Sequence, residues 1–185
     1  MLSMLGNDFS AFSLFKECLP IDEIDGILFE YNNPFMRTLI QRVSSASVHI
    51  SNEEYSKIDH GLLVLLGIED EDSEQDVEWL TSKISKMRIF EDESTQMNLS
   101  VNDVNGQILV VSQFTLHAST KKGNRPSFIK ASKPDHAMPL YEMFISQIKS
   151  KTQQNICSGK FGASMQIELT NDGPVTIWID SKNRE

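Results

Sequence analysis

The stretch GLLVLLGI, residues 61–68, contains the longest continuous apolar run of the chain, Leu62 to Leu66. A run of this length is too short for a typical helix and is typical of a strand that is buried on both faces. It is also far shorter than the roughly 20 residues that cross a bilayer, so the sequence predicts a soluble protein. We therefore expect a buried strand inside an ordinary globular domain.

The segments around this strand predict further strands and two helices. Residues 38–50 alternate apolar and polar positions and are rich in β-branched side chains, which favours a strand. Ser73 is expected to cap a helix, because acidic residues follow it and apolar residues then recur at helical spacing. The other predicted elements are a strand over residues 108–116, a helix from around Pro139, and strands over 165–169 and 175–179 with a turn at 171–174 between them. Because strands and helices do not alternate strictly, the pattern indicates an α+β fold.

The charge of the chain argues against broad nonspecific DNA binding. Its 185 residues include 26 acidic residues and 17 lysines and arginines, which gives a net charge of −9. Proteins that cover nucleic-acid phosphates usually carry the opposite sign. A local exception is a basic stretch without acidic residues, formed by Lys121, Lys122, Arg125, Lys130 and Lys133. It has two interpretations, a solvated loop or a surface that contacts phosphates.

Residues 1–35 differ from the rest of the chain. They hold six acidic residues and one lysine, and they lack the cationic start and apolar core of a secretory signal. Their acidity also argues against a mitochondrial transit peptide. We place a boundary near residue 36, so that residues 1–35 are either a loosely attached extension or sequence upstream of a true start at Met36. The second interpretation is favoured, and with two cysteines and no targeting segment we expect a cytoplasmic protein.

Few residue patterns point to a specific chemistry. The four histidines and two cysteines lack metal-ligand spacing, and no phosphate loop, dinucleotide fingerprint or G-x-S-x-G elbow occurs, so we expect no metal and no cofactor. A local pair of Ser112 and His117 is also disfavoured, because odd spacing along a strand directs two side chains to opposite faces. Two polar clusters remain, residues 112–115 at a strand end and residues 171–176 at a turn. Each alone is more often structural than functional.

Together these clusters resemble the D-aminoacyl-tRNA deacylases, also called D-tyrosyl-tRNA deacylases. Residues 112–116 match the SQFTL motif of that family, and residues 171–176 match its NxGPVT motif. Further similar segments occur in the expected order at residues 36–37, 40–43, 61–67, 88–90, 97–100, 125–128 and 159–163. The resemblance covers residues 36–185 and leaves residues 1–35 without a counterpart.

The resemblance implies both the fold and the reaction. The fold would have mixed β-sheets in a sandwich or barrel-like core with two main helices. The enzyme would hydrolyse the ester of D-aminoacyl-tRNA, and of glycine mischarged on tRNA(Ala), to release free tRNA. The catalytic residues would be Ser112, Gln113, Phe114 and Thr115, which position the ester and stabilise its oxyanion. Thr115 has been regarded as a nucleophile in the family, but we prefer a positioning role because no adjacent base is visible.

The resemblance also implies how the D-amino acid would be selected. Gly173 and Pro174 would be joined by a cis peptide bond and would enter the neighbouring subunit's site, with Thr176 and Arg42 in support. L-side chains would be excluded there, which requires a homodimer. Lys121, Lys122 and Arg125 would contact the phosphates of the tRNA acceptor stem. The alternatives are a noncatalytic nucleic-acid-binding module on the same fold and a hydrolase of small esters.

Overall fold

The structure, a computed structural model, describes residues 36–121 and 123–184. These residues belong to one compact unit. The predicted boundary and extension at residues 1–35, and the predicted contact of Lys122, lie outside the described residues. The strands are β1 (Arg37–Ile50), β2 (Glu53–Ile58), β3 (Gly61–Gly67), β4 (Phe90–Glu91), β5 (Met97–Leu99), β6 (Gln107–Ser112), β7 (Ile156–Ser158) and β8 (Gln166–Asp180). The helices are α1 (Glu74–Lys86) and α2 (Pro134–Lys151), with a 3-10 helix at Phe114–His117.

The apolar run of residues 61–67 forms β3, a buried central strand, as predicted. β3 pairs antiparallel with β1 on one side and parallel with β6 on the other. β6 pairs parallel with β7, so the sheet is mixed. Both faces of β3 are covered, which explains why its sequence is continuously apolar rather than alternating. The α+β class is confirmed.

The main sheet is rolled around the long strand β1. The first half of β1 pairs with β3 and its second half pairs with β2, while β8 follows β1 over nearly its whole length. The rolling brings the outer strands β2 and β7 together. A hydrogen bond joins them there, which Ser56 Oγ in β2 donates to Ser158 O in β7 at 3.0 Å. The sheet is therefore nearly closed, which agrees with the predicted barrel-like core.

Each face of this sheet has its own apolar core. On one face, α1 and α2 cover the sheet, and Leu80, Ile84 and Phe144 are fully buried there. On the other face, Val43, Leu63 and Leu109 belong to a second cluster inside the rolled sheet. Burying a side chain of this size contributes about 1.5–3 kcal/mol, so the two clusters together hold the ends of β3 and β6 in place.

Three predicted elements differ in the structure. The strand predicted over residues 108–116 ends at Ser112 and continues as the 3-10 helix. The helix predicted from around Pro139 begins at Pro134, so that Pro139 lies inside it. Pro134 takes the early helical position that we had assigned to Pro139, and an early proline costs no hydrogen bond within the helix.

The third difference concerns residues 165–179, for which two strands and a turn were predicted. Residues 166–180 form one strand, β8, whose two halves pair with β1 in the same direction. The register of this pairing shifts between Gln41 and Val43 and again between Val43 and Ser45. Residues 171–174 are therefore an irregular segment within a strand, a β-bulge, and not a turn that reverses the chain.

Candidate active site

The chain changes direction where β6 ends, and this change exposes backbone donors. Ser112 pairs with Leu66 of β3, and the Gln113 N–H donates to Leu66 O at 2.7 Å. The 3-10 helix then begins at Phe114. Within the described residues, the N–H groups of Phe114 and Thr115 have no backbone acceptor. The first N–H groups of a helix have no acceptor within it, so both can donate to a bound oxyanion.

A cleft of about 590 Å³ lies beside these donors. Ser112, Gln113 and Phe114 line it together with segments from three other parts of the chain. Those segments lie at the end of β3, at residues 128–137 and at residues 161–167. Its lining is mostly apolar, and the 56% exposed Phe114 ring meets the Phe128 ring edge-on at 5.1 Å between centroids. Such a cleft can hold an apolar or aromatic group next to the backbone donors.

The Thr115 side chain lies at the surface and has an amide partner. Gln113 Nε2 donates to Thr115 Oγ1 in a short hydrogen bond. An amide nitrogen cannot accept a proton from a hydroxyl, so this partner orients Thr115 without activating it as a nucleophile.

His117 follows the predicted catalytic residues and is buried. Its Nδ1 lies 2.8 Å from Oε1 of Glu69, which is also buried. His117 therefore belongs to a pair with Glu69. This agrees with our rejection of a Ser112–His117 pair, although the reason given was wrong, because residues 114–117 are helical. Sequence reasoning missed Glu69, whose signal was its place directly after a buried strand.

Asp72 is a second buried acid near this pair. Its Oδ2 accepts the Glu69 N–H at 2.7 Å, and its Oδ1 has no hydrogen-bond partner among the described residues. Burial is the main cause that raises the pKa of Asp72 from 3.8 to about 7, and the carboxylates of Asp76 and Glu69 add to it. The hydrogen bond from Glu69 and the nearby Lys182 oppose the rise.

Replacing Asp72 by asparagine should therefore change the pH dependence of stability. A carboxyl group whose pKa is raised in the folded state lowers the free energy of unfolding as pH rises from about 4 to about 7. Asparagine keeps an oxygen that accepts from Glu69 and lacks this titration. We expect the free energy of unfolding of Asp72→Asn, relative to wild type, to rise by about 2 kcal/mol between pH 5 and pH 8. Urea unfolding at the two pH values measures this, and a difference independent of pH would contradict it.

Arg42 is 4% exposed and organises the second polar cluster. Its Nη1 donates to Ile89 O at 2.8 Å, and its Nε donates to Asp172 O at 3.2 Å. The carboxylates of Asp172 and Glu91 lie within 3.2 and 3.5 Å of its guanidinium. Arg42 therefore fixes the backbone that immediately precedes Gly173, while its support of substrate selection stays a prediction.

Gly173 and Pro174 lie at the surface and are joined by a cis peptide bond. Asn171 spans this segment, because its Oδ1 accepts the Val175 N–H at 3.0 Å and its Nδ2 donates to Thr176 Oγ1 at 3.0 Å. Gly173 has a φ of +120°, a conformation that residues with a side chain rarely adopt. The segment therefore presents two exposed residues on a fixed backbone.

The two polar clusters do not line the same cleft within one chain. No residue from 171–176 lines the cleft beside Phe114. Instead, Arg42 and Asp172 line a smaller cavity of about 220 Å³ together with His60, Phe90 and Glu91. Of the predicted catalytic residues, Ser112, Gln113 and Phe114 line the cleft, while Thr115 lies at the surface beside them and does not line it. Gly173, Pro174, Thr176 and Arg42 lie together at another place.

The basic stretch after the 3-10 helix borders the cleft at one end. Lys133 lines the cleft. Lys121, Arg125 and Lys130 are exposed, and an isolated bridge between Ser119 and Ser127 closes the loop that carries the first two. Positive charge is therefore available next to the site.

Across residues 36–121 and 123–184, no group of three or more His, Cys, Asp or Glu side chains is arranged to hold a metal ion. In these two ranges, no helix is long and apolar enough to cross a membrane.

Known proteins resemble this chain over most of its length. A family model described as D-Tyr-tRNA(Tyr) deacylase matches residues 39–180. A D-aminoacyl-tRNA deacylase from Flavobacterium johnsoniae is 61% identical over 150 residues, which are 81% of this chain and 100% of the relative. Another from Flavobacterium psychrophilum is 59% identical with the same coverage. A solved structure described as c-Myc DNA Unwinding Element Binding Protein is 43% identical, with a TM-score of 0.74 over 78% of this chain and 97% of its own. From residue 39 to residue 180, this chain belongs to the D-Tyr-tRNA(Tyr) deacylase family.

Proposed function

We propose that this protein hydrolyses the ester bond of D-aminoacyl-tRNA and releases free tRNA and the D-amino acid. Its family membership makes it an enzyme acting on that ester. The observation that carries the proposal is a pair of backbone donors without a backbone acceptor, Phe114 N–H and Thr115 N–H, beside an apolar cleft. We further propose that the activity resides in residues 36–185, that residues 1–35 lie outside the catalytic domain, and that the enzyme acts in the cytoplasm.

The proposed reaction needs positioning more than it needs a strong base. The ester carbonyl would lie at the mouth of the cleft with its oxygen directed at the two N–H groups. A water oxygen then attacks the carbonyl carbon, the negative charge moves to the carbonyl oxygen, and the donors stabilise it. When the carbonyl re-forms, the bond to the ribose oxygen breaks, and that oxygen takes the proton that the attacking water gives up. Holding the ester and the water in contact supplies much of the rate increase.

Thr115 positions this arrangement and is not acylated. We expect Thr115→Ala to retain measurable hydrolysis of D-Tyr-tRNA, with a loss of about 100-fold or less, a size typical of losing one positioned contact. Rapid quenching of the wild-type reaction, followed by mass spectrometry, should find no aminoacyl group on the protein. An ester on Thr115, combined with complete loss of turnover in the variant, would show that Thr115 is the nucleophile.

Selection of the D-amino acid is proposed to occur across a homodimer. Gly173 and Pro174 are exposed, and they do not line the cleft of their own chain. In a symmetric dimer, the Gly173–Pro174 segment of each subunit would enter the cleft of the other. Its carbonyl groups would hold the α-amino group, so that an L-side chain collides with the segment and a D-side chain does not. Glycine has no side chain to exclude, so glycine mischarged on tRNA(Ala) is also a substrate.

One comparison tests the reaction and its chirality. The protein is incubated with D-Tyr-tRNA, L-Tyr-tRNA and Gly-tRNA(Ala), and loss of each ester is followed. We expect rapid loss of the D-tyrosyl and glycyl esters and a stable L-tyrosyl ester. Binding of tRNA without loss of any ester would favour a nucleic-acid-binding module, the class that the name of the 43% identical structure suggests for that protein. Equal turnover of a simple acetate ester would favour a hydrolase of small esters.

The exposed cations Lys121 and Arg125 are proposed to contact the phosphates of the tRNA acceptor stem. We expect Lys121→Glu/Arg125→Glu to raise the KM for D-Tyr-tRNA and to reduce its salt dependence. Each lost phosphate contact should lower the slope of log affinity against log salt by about 0.9. The matched control is Lys86→Glu/Lys149→Glu, which makes the same charge change at the ends of α1 and α2. If the two double variants have the same slope, Lys121 and Arg125 do not contact tRNA.

A further inference from the structure

The buried pair of His117 and Glu69 lies directly behind the proposed oxyanion donors. His117 is the last residue of the 3-10 helix that begins at Phe114. The side chains of His117 and Glu69 are 0% and 3% exposed, and Nδ1 of His117 lies 2.8 Å from Oε1 of Glu69. A charge-assisted hydrogen bond of this length, away from water, is among the stronger contacts available to hold such a short helix.

The ionisation of the two side chains determines which of them donates the hydrogen bond. Burial is the largest effect on His117 and lowers its pKa, although the Gly67 carbonyl and Glu69 oppose the shift. Because burial favours the neutral imidazole, we assign its single proton to Nδ1, which donates to the Glu69 carboxylate. Nε2 has no hydrogen bond of acceptable geometry among the described residues. With one ring nitrogen bonded and the other enclosed, the pair is a fixed contact shielded from solvent.

The ring fits only because residue 67 is glycine. A Cβ on Gly67 would lie 2.8 Å from His117 Nε2 and 3.0 Å from Leu116 Cβ. Contacts this short require the ring or the helix to move. The side chains of the 3-10 helix therefore pack directly against the backbone at the end of β3 and leave no room for a side chain at residue 67.

Glu69 connects this helix to the opposite part of the cleft lining. It forms an isolated bridge with Ala131, and Ser132 N donates to Ile68 O at 2.9 Å. Ala131 and Ser132 line the cleft, as do Ser112, Gln113 and Phe114. Glu69 N–H is itself held by Asp72 Oδ2 at 2.7 Å. Through Glu69, His117 therefore joins the segment that carries the donors to a separate wall of the cleft.

We propose that His117 is a positioning residue for ester hydrolysis, which acts through Glu69 to hold the N–H groups of Phe114 and Thr115 in register with the cleft. It touches no substrate and transfers no proton. The proposal rests on the proposed function, because a displaced donor matters only if an ester reacts there. A displacement of about 1 Å in such a site lowers turnover by about 100-fold.

The test compares variants that keep or remove the bond between these two side chains. His117→Leu removes the donor, whereas His117→Asn keeps an N–H close to the position of Nδ1. Glu69→Gln keeps an acceptor oxygen. We expect His117→Leu to lower kcat for D-Tyr-tRNA by about 10- to 100-fold with KM within about twofold of wild type. His117→Asn and Glu69→Gln should each recover most of this loss.

A matched control separates positioning from general destabilisation. Thr81 is fully buried, and its Oγ1 donates to Val77 O at 2.8 Å within α1. Thr81→Val should lower the unfolding temperature and leave kcat unchanged. Gly67→Ala places a methyl group against the His117 ring and should displace it, so it should lower kcat as His117→Leu does. This variant tests the proposal even if His117→Leu folds poorly.

Three results would overturn the positioning role while the wild-type enzyme remains active. The first is a folded His117→Leu variant with kcat within twofold of wild type. The second is a loss in His117→Asn equal to that in His117→Leu, because the side-chain volume would then matter and not the hydrogen bond. The third is a loss confined to KM. By contrast, a wild-type protein that never hydrolyses D-Tyr-tRNA would refute the proposed function itself.

Discussion

Replacing Phe114 by proline is expected to lower kcat for D-Tyr-tRNA about 100- to 1,000-fold below that of Phe114→Ala, a loss typical of removing one oxyanion donor. Both changes remove the aromatic ring and its contact with Phe128. Only proline also removes the backbone N–H. The ratio between the two variants therefore isolates the backbone donor from the side chain.

The local backbone suits this substitution. Phe114 is the first residue of the 3-10 helix, a position where proline is compatible with the helix and where the N–H lacks an acceptor within it. Gln113, which precedes it, has a φ of −142° and a ψ of 78°, outside the helical region that proline disfavours in its neighbour. We therefore expect Phe114→Pro to fold and to unfold at a temperature close to that of Phe114→Ala. Equal kcat values for the two folded variants would show that the Phe114 N–H does not stabilise the oxyanion.

Much of the fold follows from local patterns in the sequence. The run at residues 61–67 predicts β3 because a strand covered on both faces must be apolar throughout. Ser73 and the acids after it predict the start of α1, where Asp76 Oδ2 accepts the Ser73 N–H at 2.9 Å. These signals act within a few residues, so they can be interpreted without the tertiary structure.

The wrong predictions concern features that depend on distant partners. Residues 165–180 contain an Asn-Asp-Gly-Pro sequence that is typical of a turn, but both flanking segments pair with β1, which keeps them in line. β6 ends at Ser112 because residues 114–117 turn into the 3-10 helix, after a last ladder bond from Gln113 N–H to Leu66 O of β3. The end of β6 therefore depends on where β3 ends beside it, which the sequence of residues 108–116 does not specify.

In the candidate site, too, some residues could be predicted from the sequence and others depend on the tertiary structure. Its motif residues were predicted from their resemblance to a family, and the structure places residues 112–114 together on one cleft. The acids Glu69 and Asp72 were missed, because in the sequence they belong to a run of charged residues that ordinarily indicates a solvated surface. Only packing shows that both are buried.

Replacing Gly173 by alanine is expected to lower turnover of D-Tyr-tRNA by about 100-fold, the typical effect of a 1 Å displacement at a reacting centre. The φ of +120° is unfavourable for alanine, and a Cβ would lie 2.8 Å from Val175 Cγ2 and 3.0 Å from Arg42 Nη2. Arg42 is held by Ile89, Asp172 and Glu91, so the Gly173 backbone must move instead. The control is Gly123→Ala, since Gly123 has a φ of +74° with nothing within 4 Å of a Cβ. Because Gly123 lies in the loop that carries Lys121 and Arg125, the two variants are compared by kcat at saturating tRNA. Wild-type turnover in Gly173→Ala would exclude this segment from the reaction.

The variants Phe114→Pro and Gly173→Ala can be mixed to test whether the Gly173–Pro174 segment acts in the partner's cleft. Phe114→Pro inactivates a cleft and leaves its Gly173–Pro174 segment intact, and Gly173→Ala does the reverse. In a mixed dimer of symmetric subunits, one of the two sites then combines an intact cleft with an intact segment. Unfolding and refolding equal amounts of the two variants together should therefore restore about a quarter of wild-type sites. If each segment served the cleft of its own chain, every site would carry a defect, and the mixture would stay as inactive as its components.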